Sequence, residues 1–312
     1  EISLGLVGSE MCIRDSFMAM RFDAGEIITA MITPMDKDRK VDYKALEKLV
    51  EHLIATGTES ILVAGTTGES PTLTHDEEVE IFRFVKKVAN GRAKLIMGAG
   101  SNCTQTAVMA TNNAKECGAD AILSVVPYYN KPSQKGLIEH FSTIAKSTDL
   151  PVLLYNIPGR TGITMQPETI ARLAKEHKNI FAVKQSLADM DVITETRRLC
   201  PDDFVIYSGD DSLTLPMVSV GAHGVISVAS HIIGNQMHEM LNLYKSGKVK
   251  EATDMHLKLY PLFKKIFMAP NPVPVKECLK KMGIIENYVR RPLVELDEEE
   301  RNELYSVLEQ YI

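Results

Sequence analysis

Lys184 closes the apolar run Ile180-Phe181-Ala182-Val183, and upstream of it lies the segment Tyr155-Asn156-Ile157-Pro158-Gly159-Arg160-Thr161-Gly162. A lysine at the end of a buried strand sits where burial disfavours its charged form, which makes a neutral, nucleophilic amine available. A tyrosine at the end of the preceding strand can move protons for that amine. The pairing points to Schiff-base chemistry on a carbonyl substrate. Most lysines are solvated surface charges; Lys184 departs from that pattern because apolar residues precede it directly.

Other chemistry-bearing groups recur at the ends of apolar runs. Gly65-Thr66-Thr67-Gly68-Glu69-Ser70 combines glycines and hydroxyls that bring backbone N–H groups close to a small anion. Pro127-Tyr128-Tyr129-Asn130 ends another run, Arg160 follows Tyr155, and Ile226 lies in a further apolar segment. Each alone is ordinary: a tight turn, a core-edge tyrosine whose hydroxyl reaches water, a solvated arginine. Gathered at one face of a fold they form a site.

The elements that must gather them alternate along the chain. Ile27-Ile28-Thr29-Ala30-Met31-Ile32 reads as the first strand. Asp42 then caps a helix with Leu46, Leu49, Val50, Leu53 and Ile54 on one face, stopped by Gly57. Ile61-Leu62-Val63-Ala64 is the second strand, and Thr74 with Glu77 forms a capping box for the next helix. Runs at 94–97, 121–125, 152–155, 180–184, 205–207 and 224–228 complete the strands. The joints Cys117-Gly118-Ala119-Asp120 and Val220-Gly221-Ala222-His223 match, each a glycine helix stop feeding a strand.

About eight strand–helix units in series, with strands apolar on both faces, predict an α/β fold, a parallel (β/α)8 TIM barrel. Its active site would lie at the C-terminal ends of the strands. A doubly wound sheet would need a phosphate-type turn after the first strand, and Thr33-Pro34-Met35-Asp36 is not one. Beyond about residue 232 only helical patterns remain, broken by Ala269-Pro270-Asn271-Pro272. The expected organisation is a catalytic barrel over 18–232 and a C-terminal helical appendage over 233–312.

The bulk properties narrow the function. The 312 residues are 45% hydrophobic and 24% charged, with a net charge of −6, which argues against a general nucleic-acid binder. No apolar stretch approaches the roughly 20 residues that span a bilayer. The five cysteines form no C-x-x-C pair, as in a reducing cytoplasm. No H-E-x-x-H or paired Cys/His ligand set is present, so neither metal nor cofactor is expected. The opening EISLGLVGSEMCIRDS lacks a basic n-region, an apolar core and an A-x-A site, so it is no secretory signal. It resembles a translated sequencing adapter. Residues 1–17 are therefore expected to be a non-native or disordered leader, with Met18 or Met20 the natural start.

As a set, Gly65–Ser70, Pro127-Tyr128-Tyr129-Asn130-Lys131-Pro132, Tyr155–Gly162 and Gly224-Val225-Ile226-Ser227 closely resemble the dihydrodipicolinate synthase family, from about Gly25 to the C-terminus. The resemblance implies that Lys184 forms an imine with the keto carbon of pyruvate. Tyr155 would be the general acid/base, linked through Thr66 to Tyr129 as a proton relay. It further implies that Thr67, Gly209 and the backbone at Ile226 bind pyruvate, and that Arg160 binds the carboxylate of L-aspartate 4-semialdehyde. Tyr129 would complete a neighbouring subunit's site, giving a homotetramer built as a dimer of dimers.

Two departures stand out. The family lysine is commonly followed by glutamate, and here by Gln185. Members inhibited by lysine typically carry histidine where Glu78 stands and glutamate where Thr106 stands, although Ser70, His75, Asn102 and Tyr128 match that pocket. The altered charge pattern leads to the expectation of weak or absent lysine feedback. Rival readings are another pyruvate-dependent aldolase such as N-acetylneuraminate lyase, for which Arg160 is out of place, and a non-enzymatic degenerate barrel, which would have lost relay residues. A dinucleotide oxidoreductase fails because Cys103 stands where Gly98-Ala99-Gly100 would need its third glycine.

Overall fold

The computed structural model describes residues 20–312, and the leader expected at 1–17 lies outside the described residues. The strands are β1 (Ile27–Ala30), β2 (Ser60–Val63), β3 (Lys94–Gly98), β4 (Ala121–Val125), β5 (Val152–Asn156), β6 (Ile180–Gln185), β7 (Val205–Ser208) and β8 (Gly224–Ser227). They pair in parallel, in chain order, and β8 closes on β1. The architecture is the expected TIM barrel.

Helices α1 (Tyr43–Ala55), α2 (His75–Ala89), α3 (Thr104–Glu116) and α4 (Gln134–Lys146) join the first five strands. The short α5 (Pro158–Thr161), then α6 (Pro167–Glu176), α7 (Met190–Leu199) and α8 (Thr214–Ser219), join the rest. One apolar cluster fills the barrel, including Ile28, Leu62, Ile96, Leu123, Leu153, Tyr207 and Ile226. A larger one lies between strands and helices, which is why the strands are buried on both faces.

Local chemistry starts and stops these elements as the sequence predicts. The Asp42 carboxylate accepts from the N–H groups of Lys44 and Ala45, and Leu46, Leu49, Val50 and Leu53 of α1 are buried. Thr74 and Glu77 make the capping box of α2. Gly118 and Gly221 have φ of 72° and 98°, the left-handed stops expected at the matching joints. The first strand is shorter than expected, ending at Ala30 instead of Ile32. Beyond it the backbone leaves the sheet: Ile32 N–H donates to His231 Nε2 at 3.2 Å, and Thr33 Oγ1 donates to the Gly68 carbonyl at 2.7 Å.

After β8 come α9 (Ser230–Lys245), α10 (Val249–Lys265), α11 (Val273–Lys281) and α12 (Glu298–Leu308). The boundary expected at 232/233 falls inside α9, whose backbone is non-helical at Ile233 (φ −125°, ψ 34°). This helix packs on β1 and α1 and so serves as the eighth outer helix of the barrel.

The segment after α11 is tied back to the barrel by Arg290. Its guanidinium donates to both Glu77 carboxylate oxygens at 2.7 and 2.6 Å, and to the carbonyls of Thr72 at 2.7 Å and Arg39 at 2.9 Å. Hydrogen bonding to Arg290 holds the Glu77 carboxyl at about 2, below its ordinary 4.5, against the opposing effect of burial. A depressed folded-state value means stability that is present above about 4.5 and lost as pH falls through about 2. Glu77→Gln is therefore expected to unfold more easily than the parent at pH 7. Its deficit in denaturant melts should close progressively over that acid interval; a deficit independent of pH would refute this account.

Candidate active site

The register of three adjacent strands builds the centre of the site. Tyr155 on β5 pairs with Lys184 on β6, which pairs with Tyr207 on β7. This alignment depends on a one-residue step: Val152 pairs with Ile180, but Leu153 pairs with Ala182. Uninterrupted pairing from Ile180 would have set Val183 opposite Tyr155. Lys184 is 6% exposed and Tyr155 5%, and the Lys184 Nζ lies 4.4 Å from the centre of the Tyr155 ring. The electron-rich ring face is a favourable neighbour for an ammonium or an iminium. Tyr207 is already committed, its hydroxyl donating to the Gly25 carbonyl at 2.9 Å, and burial pushes its pKa well up. Tyr155 is the tyrosine whose ring faces the amine.

The neighbouring strand ends frame this pair. Gly209 follows β7, and its N–H donates to the Gln185 carbonyl at 2.8 Å. A Cβ at Gly209 would come within 2.9 Å of Lys184 Cε and collide with Ser186 Oγ, so only glycine leaves the amine its place. Ile226 is 2% exposed, pairs with Ile28 and lines the barrel interior. Just beyond it, Asp211 accepts from Ser227 Oγ at 2.5 Å and from the N–H groups of Val228 at 3.1 Å and Ala229 at 3.0 Å. Burial raises the Asp211 carboxyl to about 6 despite these bonds. Gln185 is fully buried in an amide network, accepting from Asn156 Nδ2 at 2.9 Å.

The loop after β2 is tightly wound. Gly68 N–H donates to Gly65 O at 3.0 Å, Glu69 N–H to Thr66 O at 3.1 Å, and Glu69 has a φ of 60°. Thr67 is buried, and its Oγ1 accepts from Asn271 Nδ2 at 2.9 Å, while Thr66 is half-buried. The Glu69 carboxylate pairs with the fully buried Lys276 ammonium and accepts from the Arg290 N–H at 2.9 Å.

Arg160 lies on α5 directly after β5, exposed at the same end of the barrel. Tyr129 stands apart: 89% exposed, with a φ of 72°. Among the described residues the side chains of Tyr155, Thr66 and Tyr129 exchange no hydrogen bond with one another. The single chain thus brings Lys184, Tyr155 and Gly209 together, sets Thr67 and Ile226 on the loop after β2 and on β8 of the same barrel, and leaves Tyr129 exposed. In the region matched to a lysine pocket, His75 Nδ1 lies 3.1 Å from Glu78 Oε2, and Asn102 Nδ2 donates to the Tyr128 carbonyl at 3.2 Å. Burial raises the Glu78 carboxyl above its ordinary value, opposed by His75.

Reading the sequence missed Asn271, Lys276 and Asp211. Lys276 carried a usable signal, since it closes the run Val273-Pro274-Val275 much as Lys184 closes its own. Asp211 and Asn271 carried none, because their partners are far away in sequence.

Residues 23–311 match the model of the dihydrodipicolinate synthetase family. A 4-hydroxy-tetrahydrodipicolinate synthase from Bacillus subtilis is 48% identical over 284 residues, covering 91% of this chain and 98% of the relative. The crystal structure of a dihydrodipicolinate synthase from Bacillus anthracis superposes with a TM-score of 0.90 at 47% identity, covering 92% of this chain and 98% of the other. A lysine-bound synthase structure from Cyanidioschyzon merolae gives a TM-score of 0.90 at 43% identity, covering 91% and 97%.

Proposed function

This chain belongs to the dihydrodipicolinate synthetase family, and from that premise we propose that it joins pyruvate to L-aspartate 4-semialdehyde through an imine on Lys184. The product is 4-hydroxy-tetrahydrodipicolinate, and the enzyme is a lyase of lysine and diaminopimelate biosynthesis. The observation that carries the residue assignment is the buried amine of Lys184 set against the Tyr155 ring at the C-terminal end of the barrel.

The amine adds to the keto carbon of pyruvate, and loss of water leaves an iminium. That cation withdraws electrons from the methyl group, so a base removes a proton and an enamine forms. The enamine carbon attacks the aldehyde of the second substrate, regenerating the iminium and leaving a hydroxyl. The substrate's own amine then attacks the iminium carbon, closes the ring and expels the Lys184 amine. Tyr155 carries the protons of these steps. Thr67, Gly209 and the backbone at Ile226 hold pyruvate, and Arg160 presents a planar cation to the carboxylate of the aldehyde substrate.

In this reading Thr66 and Tyr129 extend the proton path, with Tyr129 donated to the site of a second copy. The support is its exposure in the isolated chain, where Tyr129 is 89% exposed and its side chain makes no hydrogen bond among the described residues. The assembly is a homotetramer, a dimer of dimers, working in the cytoplasm, where the described cysteines stay free. Among the described residues no helix is long and apolar enough to cross a membrane.

Borohydride reduction after incubation with pyruvate should add one reduced pyruvate, mapping to Lys184; no adduct, or one on another lysine, overturns the assignment. Mixing Tyr129→Phe with Lys184→Ala subunits, each nearly inactive alone, should restore activity, because a mixed pair contains one complete site. Restoration will be absent if Tyr129 serves only its own chain. In steady-state assays lysine should inhibit weakly or not at all, given Glu78 and Thr106, and half-inhibition at sub-millimolar lysine would contradict this.

A further inference from the structure

Asn271 stands between Pro270 and Pro272 at the entrance to α11, in the region beyond the barrel strands. Its Nδ2 donates to Thr67 Oγ1 at 2.9 Å, and its Oδ1 is buried with no hydrogen-bond partner among the described residues. Farther along, Lys276 is fully buried, paired with the Glu69 carboxylate and donating to the Tyr288 carbonyl at 2.8 Å. Thr67 and Glu69 belong to one loop, and Asn271 and Lys276 to one end of α11. Beside the Arg290 contacts, the C-terminal region therefore grips the loop after β2 at Thr67 and at Glu69.

The direction of the first contact matters because a threonine hydroxyl has one proton. Accepting from Asn271 leaves that proton free for an outside acceptor. The reversed contact, Thr67 donating to the amide oxygen, would consume it. The second contact fixes the distance: a buried ion pair strongly resists separation, since parting it strands a charge away from water.

We propose that Asn271 is a positioning residue of the reaction: by donating to Thr67 Oγ1 it turns the Thr67 proton toward the pyruvate carboxylate, while Glu69–Lys276 holds the loop in reach. This rests on the reading of Thr67 as a carboxylate ligand. The amide nitrogen of Asn271, not its bulk, is the feature required.

The test compares Asn271→Ala with the near-isosteric Asn271→Asp in the full-length enzyme, with pyruvate alone and borohydride trapping at Lys184 as readout. An ionised aspartate can only accept, so it takes the Thr67 proton and sets a negative charge near the substrate carboxylate. The pyruvate concentration for half-maximal trapping should rise about 10-fold in the alanine variant and about 100-fold or more in the aspartate variant. The KM for the aldehyde substrate should stay near its original value. Lowering the pH should restore part of the pyruvate affinity of the aspartate variant only, because a protonated carboxyl can donate again. A packing role predicts the opposite order, alanine worse than aspartate, and that order or unchanged pyruvate dependence in both would overturn the proposal. Should the aspartate variant not fold, Thr67→Val combined with Asn271→Ala decides: equal effects of the single and double variants support the coupling, and independent effects refute it. Absence of any Lys184 adduct in the unsubstituted enzyme would instead sink the pyruvate-imine reading itself.

Discussion

The parallel register between β5 and β6 is the constraint on which the site depends. Side chains alternate in and out of a barrel wall, so a one-residue slip sends every inward group outward. Here the pairing steps by one residue between Val152 and Leu153, and the extra residue, Phe181, is absorbed into the barrel interior. Its ring meets Phe22 edge-on at 5.1 Å, which gives the displaced side chain a packed place. Above it Ala182 aligns with Leu153 and Lys184 with Tyr155. Irregular strands of this kind often re-aim a side chain at a functional site.

A buried lysine confronts the cost of leaving water, and Lys276 and Lys184 meet different surroundings. Lys276 has an acid, Glu69, and a carbonyl, that of Tyr288, within its reach. Burial lowers its pKa and the Glu69 charge opposes that shift. The result is a fastener between α11 and the loop after β2. Lys184 lies instead against an aromatic face, in a space that Gly209 keeps open. Among the described residues its amine makes no ion pair, the condition under which an amine keeps its lone pair available to a carbonyl.

The C-terminal helices are accordingly more than an outer layer. Through Arg290 they hold Glu77 at the start of α2, and through Lys276 they hold Glu69 in the loop between β2 and α2. Both ends of this connection are thus fastened by side chains that lie more than 200 residues away. The loop carries backbone strain at Ala64 and Glu69, with φ of 53° and 60°, which surrounding contacts must hold in place.

Local signals made the alternation of strands and helices legible: the Asp42 cap, the Thr74–Glu77 box, the glycine stops at Gly118 and Gly221, and runs buried on both faces. They extended to Lys184 and Tyr155, because an apolar run ending in a reactive residue is visible within a few positions. The end of β1 was misplaced, since Met31 and Ile32 are apolar and only the His231 and Thr33 contacts show where the backbone leaves the sheet. The step at Phe181 was invisible for a similar reason, as it is a relation between two strands. Lys276 also closes an apolar run, but its pairing with Glu69 spans 207 residues and was not legible. By itself the sequence determined the order of elements and the reactive residue types, which depend on short-range periodicity and chemistry. Tertiary structure alone decided how the Lys184 amine meets the Tyr155 ring, that Lys276 pairs with Glu69 and that Asn271 reaches Thr67, because those contacts depend on distances between residues that the chain places far apart.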